Sequence, residues 1–301
     1  MSTATSALAG KRRGALGRFF TSPFVWLVAP AGIFMVTLTA IPFGYVIYLS
    51  MQDFLVGMNP IFTGLQNYVE MAKDPVFWNG LKVTFFLYAI SLAAQLTVGL
   101  YVAILLDRNL RGARVLRTIL LTPLAMPPVA VGMMWLILLD PSFGPVNYFI
   151  QALGLPKSLF LASPTGVIPT LAGIDTWQYT PFVVLIILGG LQSLPSEPYE
   201  AARIDGASAT QMFWRITLPL LFPSIITAAV LRSIDLLRFF DTIYITTQGG
   251  PGNASTTLNI YAYKSGFVYF HMGYASALML TLFVIVLVMV LLLSRLRRAA
   301  R

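Results

Sequence analysis

Six apolar stretches, each long enough to cross a lipid bilayer as a helix, dominate this 301-residue chain; they cover 24–50, 81–106, 118–139, 167–194, 221–245 and 274–294. A hydrocarbon core of ~30 Å takes about 20 helical residues. Inside it the backbone must satisfy its own hydrogen bonds, which helices of this length do. The predicted fold is therefore all-α, a polytopic membrane protein of six transmembrane helices. Hydrophobic residues make up 57% of the chain and charged residues only 10%, too apolar a balance for a soluble domain of this size. Pro30, Pro42, Pro123, Pro127 and Pro181 fall within spans and predict kinked helices around a pathway rather than straight anchors. The first apolar run continues beyond the length of a cleaved signal core and reads as a retained first helix.

The net charge of +9 sits in short clusters beside the apolar runs, a pattern of membrane orientation rather than of nucleic-acid binding. Lys11, Arg12, Arg13 and Arg18 precede the first span, and Arg108, Arg111, Arg114 and Arg117 separate the second from the third. Arg203 and Arg215 lie between the fourth and fifth, and Arg295, Arg297, Arg298 and Arg301 follow the last. These residues are fourteen of the 20 lysines and arginines, whereas Lys73, Lys82, Lys157 and Lys264 fall on or near the opposite side. The positive-inside rule then makes both termini and the 195–219 segment cytoplasmic. The domain reading is a cytoplasmic tail over 1–23, one membrane domain over 24–294 and a cytoplasmic tail over 295–301. With no cysteine and one histidine, His271, thiolate metal sites, histidine metal sites and a histidine-centred triad are excluded. No G-x-x-x-x-G-K-[ST] phosphate loop is present, so the chain is not an ATPase by that route. No enzyme activity, metal or cofactor of its own is expected.

The segment richest in information is 195–219, PSEPYEAARIDGASATQMFWRITLP. Ser196 is placed to cap a helix that has Glu197 and Pro198 in its first turn. Gly206 suits a left-handed stop. Ser208 and Gln211 then have the spacing of a capping box, opening a second helix through Phe213, Trp214 and Ile216 that is expected to end before Pro219. The result is a helix–glycine–helix elbow with an apolar face. Its spelling is Glu200-Ala201-Ala202, three residues, Gly206, nine residues, then Ile216-Thr217-Leu218-Pro219. This resembles the EAA loop of binding-protein-dependent ABC importer permeases, and it sits before the penultimate helix, as in that family. Phe62-Thr63-Gly64-Leu65, Asn67-Tyr68 and Asp74-Pro75-Val76-Phe77-Trp78 look like the first external loop of the carbohydrate-type permeases related to the maltose and glycerol-phosphate importers. Asp241-Thr242-Ile243-Tyr244, Thr247-Gln248-Gly249-Gly250-Pro251 and Gly273-Tyr274-Ala275-Ser276-Ala277 resemble the same subgroup's last third, closer to its maltose-F-like half. Val83 stands where the subgroup often has Asn, and the maltose protein's large second external domain has no counterpart here.

The resemblance implies a type I ABC importer permease fold in a bacterial inner membrane, taking up a sugar or sugar-like solute by alternating access. It implies a second permease subunit, a dimer of ATP-binding subunits that hold ATP and Mg, and an extracytoplasmic solute-binding protein. Within the elbow it assigns Glu200, Ala201, Ala202, Gly206, Ile216, Leu218 and Pro219 to coupling with the ATPase. A self-contained secondary transporter is disfavoured by six spans without inverted repeats. A lipid-linked transferase is disfavoured by the lack of an acidic or histidine cluster at one interface.

Charges inside the spans leave two readings open. Arg232, Asp235, Arg238 and Asp241 recur every three residues in the fifth span, a spacing that permits intrahelical ion pairs. They either lock this helix to its neighbours or reach the solute path and its gate. Trp177, Gln178, Tyr179 and Thr180 in the fourth span combine rings with hydrogen-bonding groups, as sugar stacking requires, or pack at a helix interface. Gln95 reads as a helix–helix hydrogen bond. The topology predicts that Ser208→Cys resists impermeant thiol reagents in intact cells while Asn253→Cys is labelled; external labelling of Ser208→Cys would overturn the orientation.

Overall fold

The computed structural model describes residues 23–108 and 112–299. Lys11, Arg12, Arg13, Arg18, Arg111 and Arg301 lie outside them, as do the side chains of Arg114, Arg297 and Arg298. Contacts divide the chain into two units, Met1–Tyr48 and Leu49–Arg301. The first holds most of α1 (Pro23–Ser50), a helix that continues through Pro30 and Pro42.

In the second unit a short antiparallel hairpin joins β1 (Gln52–Asp53) to β2 (Ile61–Phe62), the only sheet among the described residues. Then come α2 (Gln66–Lys73) and α3 (Pro75–Asp107), where Pro75 opens the helix and the Asp74 carboxylate caps the Val76 N–H at 2.8 Å. The remaining elements are α4 (Ala113–Leu121), α5 (Pro128–Leu138), α6 (Pro145–Ala152) and α7 (Val167–Gln192), followed by α8 (Glu197–Ile204), α9 (Ala209–Met212) and α10 (Leu218–Leu237). The chain ends with α11 (Asp241–Thr246), α12 (Leu258–Tyr263) and α13 (Met272–Ala299).

The all-α, six-span expectation holds, with two of the spans broken. Five stretches are apolar and helical over membrane length, four of them unbroken, and the sixth is a bent pair, Val115–Ala125 with Pro128–Leu138, turning by 97°. The cause lies in Thr122–Pro128: Pro123, Pro127 and Pro128 each lack an N–H, and a proline ring clashes with the carbonyl four residues back. The freed Met126 carbonyl accepts a hydrogen bond from Gln178 Nε2 at 3.1 Å, so a neighbouring helix satisfies what the break exposes. The fifth span breaks at Arg238–Phe240, between α10 and α11; there the Arg238 carbonyl accepts from Asn259 Nδ2 at 2.8 Å.

Small residues set the packing. A Cβ on Gly99 would approach Val183 Cγ1 to 2.7 Å, which marks how closely α3 and α7 meet. Ala103 and Leu106 from α3, Val183 and Ile187 from α7, and Leu221 and Ala228 from α10 form one buried cluster around that contact. Outside the spans, Asp74 clamps two elements: the hydroxyls of Tyr261 and Tyr274 both donate to its Oδ2, the second at 2.7 Å. Burial pushes the Asp74 carboxyl up, but these bonds and the backbone N–H groups of Val76 and Phe77 outweigh it and hold the group below its ordinary 3.8. Burial and the Asp74 hydrogen bond push Tyr261 up to about 12.

The clamp predicts a two-sided pH dependence. A depressed carboxyl contributes stability that is present above 3.8 and lost as pH falls through its folded value. A raised tyrosine contributes stability that is present below 10.0 and lost as pH rises through about 12. Asp74→Asn should flatten both limbs of a melting-temperature profile and cost roughly 1.5–3 kcal/mol at neutral pH.

Candidate functional site

The elbow begins at Ser196, whose side chain makes no capping bond, contrary to the expectation; its carbonyl accepts the N–H groups of Tyr199 and Glu200. Gly206 has φ +75°, and the Ala207 N–H reaches the Ala202 carbonyl at 2.9 Å, the six-to-one closure of a left-handed helix stop. Both halves of the capping box form: Ser208 N–H to Gln211 Oε1 at 2.7 Å and Gln211 N–H to Ser208 Oγ at 3.3 Å.

The second arm does not end before Pro219. A π turn, Phe213–Thr217, passes directly into α10, and Pro219 sits in the first turn of that helix, where a missing N–H is tolerated. The second arm of the elbow and the fifth span are thus one continuous helical rod from Ala209 to the break at Arg238. Ile216, Leu218 and the Thr217 hydroxyl belong to this junction, and Tyr199 Oη bonds Thr217 Oγ1 at 3.0 Å to brace the first arm against the second. Ala201 and Gly206 are exposed and Ala202 is half-buried, while Glu200 lines a cavity on the inner side of the elbow. Two apolar residues outside the predicted coupling set stand out from its surface, Ile204 at 87% exposure and Trp214 at 61%. An isoleucine in the last turn before Gly206 was the available signal.

In the membrane interior the charged residues separate into groups. Arg232 is 1% exposed and gathers three helices. Its Nε donates to Gln95 Oε1 of α3 at 2.8 Å, its Nη2 to Asp175 Oδ2 of α7 at 3.0 Å, and its Nη1 to Asp235 Oδ2 of α10 at 3.3 Å. The Tyr179 ring lies beneath the guanidinium, 4.1 Å from centroid to Cζ, a cation–π contact. Gln95 Nε2 donates to Asp175 Oδ2, closing the ring of bonds. Asp175 is 1% exposed, whereas Asp235 is 62% exposed, so the network is sealed on one side and open on the other.

The predicted ladder of intrahelical pairs therefore forms at its first rung only. The helix break puts Asp241 in a new element, and Arg238 and Asp241 are exposed without an ion pair among the described residues. The predicted aromatic group likewise divides: Tyr179 joins the network, Gln178 is buried as the cap on Met126, and Trp177 packs edge-on against Trp135 of α5 at 5.6 Å. Asp175, the main partner of Arg232, was missed by the sequence reading. Its signal was a lone acid in an apolar span.

Removing one partner of a buried pair costs about 3–5 kcal/mol because the other charge is stranded. Arg232→Ala should therefore sharply reduce assembled yield, and adding Asp175→Asn should restore much of it. Adding Asp235→Ala instead should restore little, because water already solvates that carboxylate. Equal rescue by both second substitutions, measured by size-exclusion yield and melting temperature, would refute the assignment of Asp175 as the buried partner.

Comparison with known proteins places this geometry. Residues 95–301 match the family model for the binding-protein-dependent transport system inner membrane component. The chain is 36% identical over 90% of its length to a probable ABC transporter permease protein, y4oQ, of Sinorhizobium fredii, covering 88% of that protein. It is 38% identical over 75% of its length to the trehalose/maltose transport system permease protein MalF of Thermococcus litoralis, covering 76% of it. Among solved structures, a chain of the bacterial alginate ABC transporter, in complex with alginate pentasaccharide-bound periplasmic protein, superposes with a TM-score of 0.82 over 95% of this chain and 97% of that one, at 24% identity. Six membrane spans, an elbow continuous with the fifth, and these matches over most of its length together show that this chain belongs to the family of binding-protein-dependent transport system inner membrane components.

Proposed function

We propose that this chain is the permease subunit of an ATP-driven importer that moves a sugar or sugar-like solute by alternating access. The single observation that supports coupling most directly is the unbroken helical path from the elbow through the π turn into α10, which ends in the Arg232 network. A displacement of the elbow is carried along a stiff rod into the Arg232 network. The elbow and both termini face the cytoplasm in this reading, as the distribution of lysine and arginine supports. The elbow docks on a separate ATP-binding subunit that holds ATP and Mg, with Ala201, Ala202 and Gly206 allowing close approach. Ile204 and Trp214 are the apolar anchors, since large exposed side chains that become buried dominate interface energy. Glu200 is exposed, lines the cavity behind the elbow and makes no ion pair among the described residues.

The open side of the network, the exposed Asp235 and the half-buried Tyr179, supplies a carboxylate and an aromatic ring to the path between this chain and a second permease subunit. Such a pair suits a hydroxyl-rich solute delivered by an external binding protein. The sugar assignment is supported by the trehalose/maltose permease relative and by the fold shared with the alginate transporter.

Two substitutions test the coupling. Gly206→Val forces a β-branched residue into φ +75°, a strain of about 1–2 kcal/mol or more, although no neighbouring atom obstructs the side chain. Ile204→Asp leaves the fold intact and removes an anchor, a change of roughly 2 kcal/mol or more in docking. Both should leave six helices inserted while abolishing binding-protein-stimulated ATP hydrolysis and uptake in reconstituted vesicles. Full stimulation and uptake in both variants would reduce the elbow to a surface loop.

A further inference from the structure

Behind the elbow lies a cavity of about 760 Å³, walled by the end of α3, the end of α7 and the inner faces of α8 and α9. This is within the ~300–1,000 Å³ range of sites that hold small molecules. Its lining changes character along its depth. Tyr101 and Ile104 of α3, Leu191 of α7 and Leu194 just beyond it form an apolar wall on the side of the spans. Asp107, Arg108, Glu200 and Arg203 form a charged wall at the elbow. Tyr101 is 65% exposed one and a half turns before the helix ends, the position and residue type of an aromatic belt at a bilayer boundary. All four charged residues are exposed, and neither arginine is within ion-pair distance of a carboxylate among the described residues. Two cations and two anions thus share one concavity at the membrane edge without neutralising each other.

We propose that this cavity receives the headgroup of a zwitterionic phospholipid of the phosphatidylethanolamine class. The lipid phosphate sits between Arg108 and Arg203, where a guanidinium offers paired donors to phosphate oxygens. The ammonium meets Asp107 and Glu200, and the glycerol and first acyl carbons lie on Tyr101, Ile104 and Leu191. A headgroup of net negative charge is disfavoured because the two carboxylates repel what the arginines attract. The ligand is the bilayer itself, which already surrounds α3 and α7, so occupancy needs no additional partner. Bound there, the lipid wedges the elbow against the spans. The site is independent of which solute the importer moves.

The test is native mass spectrometry on the complex purified through this chain and exchanged into nanodiscs of equal phosphatidylethanolamine and phosphatidylglycerol. Retained lipid should be enriched in phosphatidylethanolamine by about tenfold, and Asp107→Asn with Glu200→Gln should abolish the enrichment by removing the groups that favour the ammonium. Thr210→Trp, at a solvent-exposed lining position, should displace the lipid while the complex stays assembled. Retained lipid that mirrors the nanodisc mixture would overturn the proposal, as would enrichment that survives Thr210→Trp. So would efficient cross-linking of Thr210→Cys to another subunit, which would mean that protein fills the cavity.

Discussion

Arg232 is a permanent cation in the interior of a membrane protein, and much of the structure is arranged around making that tolerable. A charge at the centre of a bilayer costs at least ~2.5–3.5 kcal/mol even when it can relax toward water, and Arg232, at 1% exposure, has no such escape. Every nitrogen of its guanidinium is therefore answered: by an amide from α3, a buried carboxylate from α7 and a second carboxylate from its own helix, with a tyrosine ring below. These bonds have direction as well as strength, so they fix the rotation and height of three helices relative to one another. The close approach of Gly99 to Val183 and the cluster around Ala103 and Leu221 lie along the same three helices. Van der Waals packing of small residues tightens a register that the polar centre has already chosen.

The same three helices connect the polar centre to the elbow. From Leu218 to Arg232 α10 is uninterrupted, about 20 Å of rod at 1.5 Å per residue. The π turn before it removes the clash that Pro219 would otherwise cause, so a residue that normally stops a helix here sits inside a joint. Proline has the opposite effect in the third span, where three of them within six residues turn the backbone by 97°. The difference lies in what surrounds each proline. Near Pro219 the preceding carbonyls are absorbed by a wider turn; near Pro127 and Pro128 one is handed to Gln178 of α7.

Local signals in the sequence translated into structure where the interaction spans a few residues. Gly206 adopts the left-handed conformation its position demanded, and Ser208 and Gln211 exchange both bonds of the capping box, because both devices are complete within six residues. Ser196 failed as a side-chain cap even though its residue type was right: its backbone is already helical, not in the extended conformation a capping residue adopts. The Arg232–Asp235 pair was visible as a spacing of three. The Asp175 partner was not, because it is 57 residues away on another helix and nothing in the local pattern of α7 names its neighbour.

What the sequence by itself determined was the class of solution: six membrane crossings, their orientation-setting basic clusters, and an elbow spelled in the EAA pattern before the fifth span. Those follow from hydrophobicity and local hydrogen bonding, which depend on residue type and near spacing. Only the tertiary structure decided which charges meet. It buried Arg232 against Asp175 and left Arg238 and Asp241 exposed, it assigned Gln178 to a backbone break instead of a pathway, and it left Ile204 and Trp214 bare on the elbow's surface. The physical reason is that a charge or an amide in a low-dielectric interior is satisfied by whichever complementary group folding brings within about 3 Å. That distance is set by helix packing and is not written in the order of residues along any one helix.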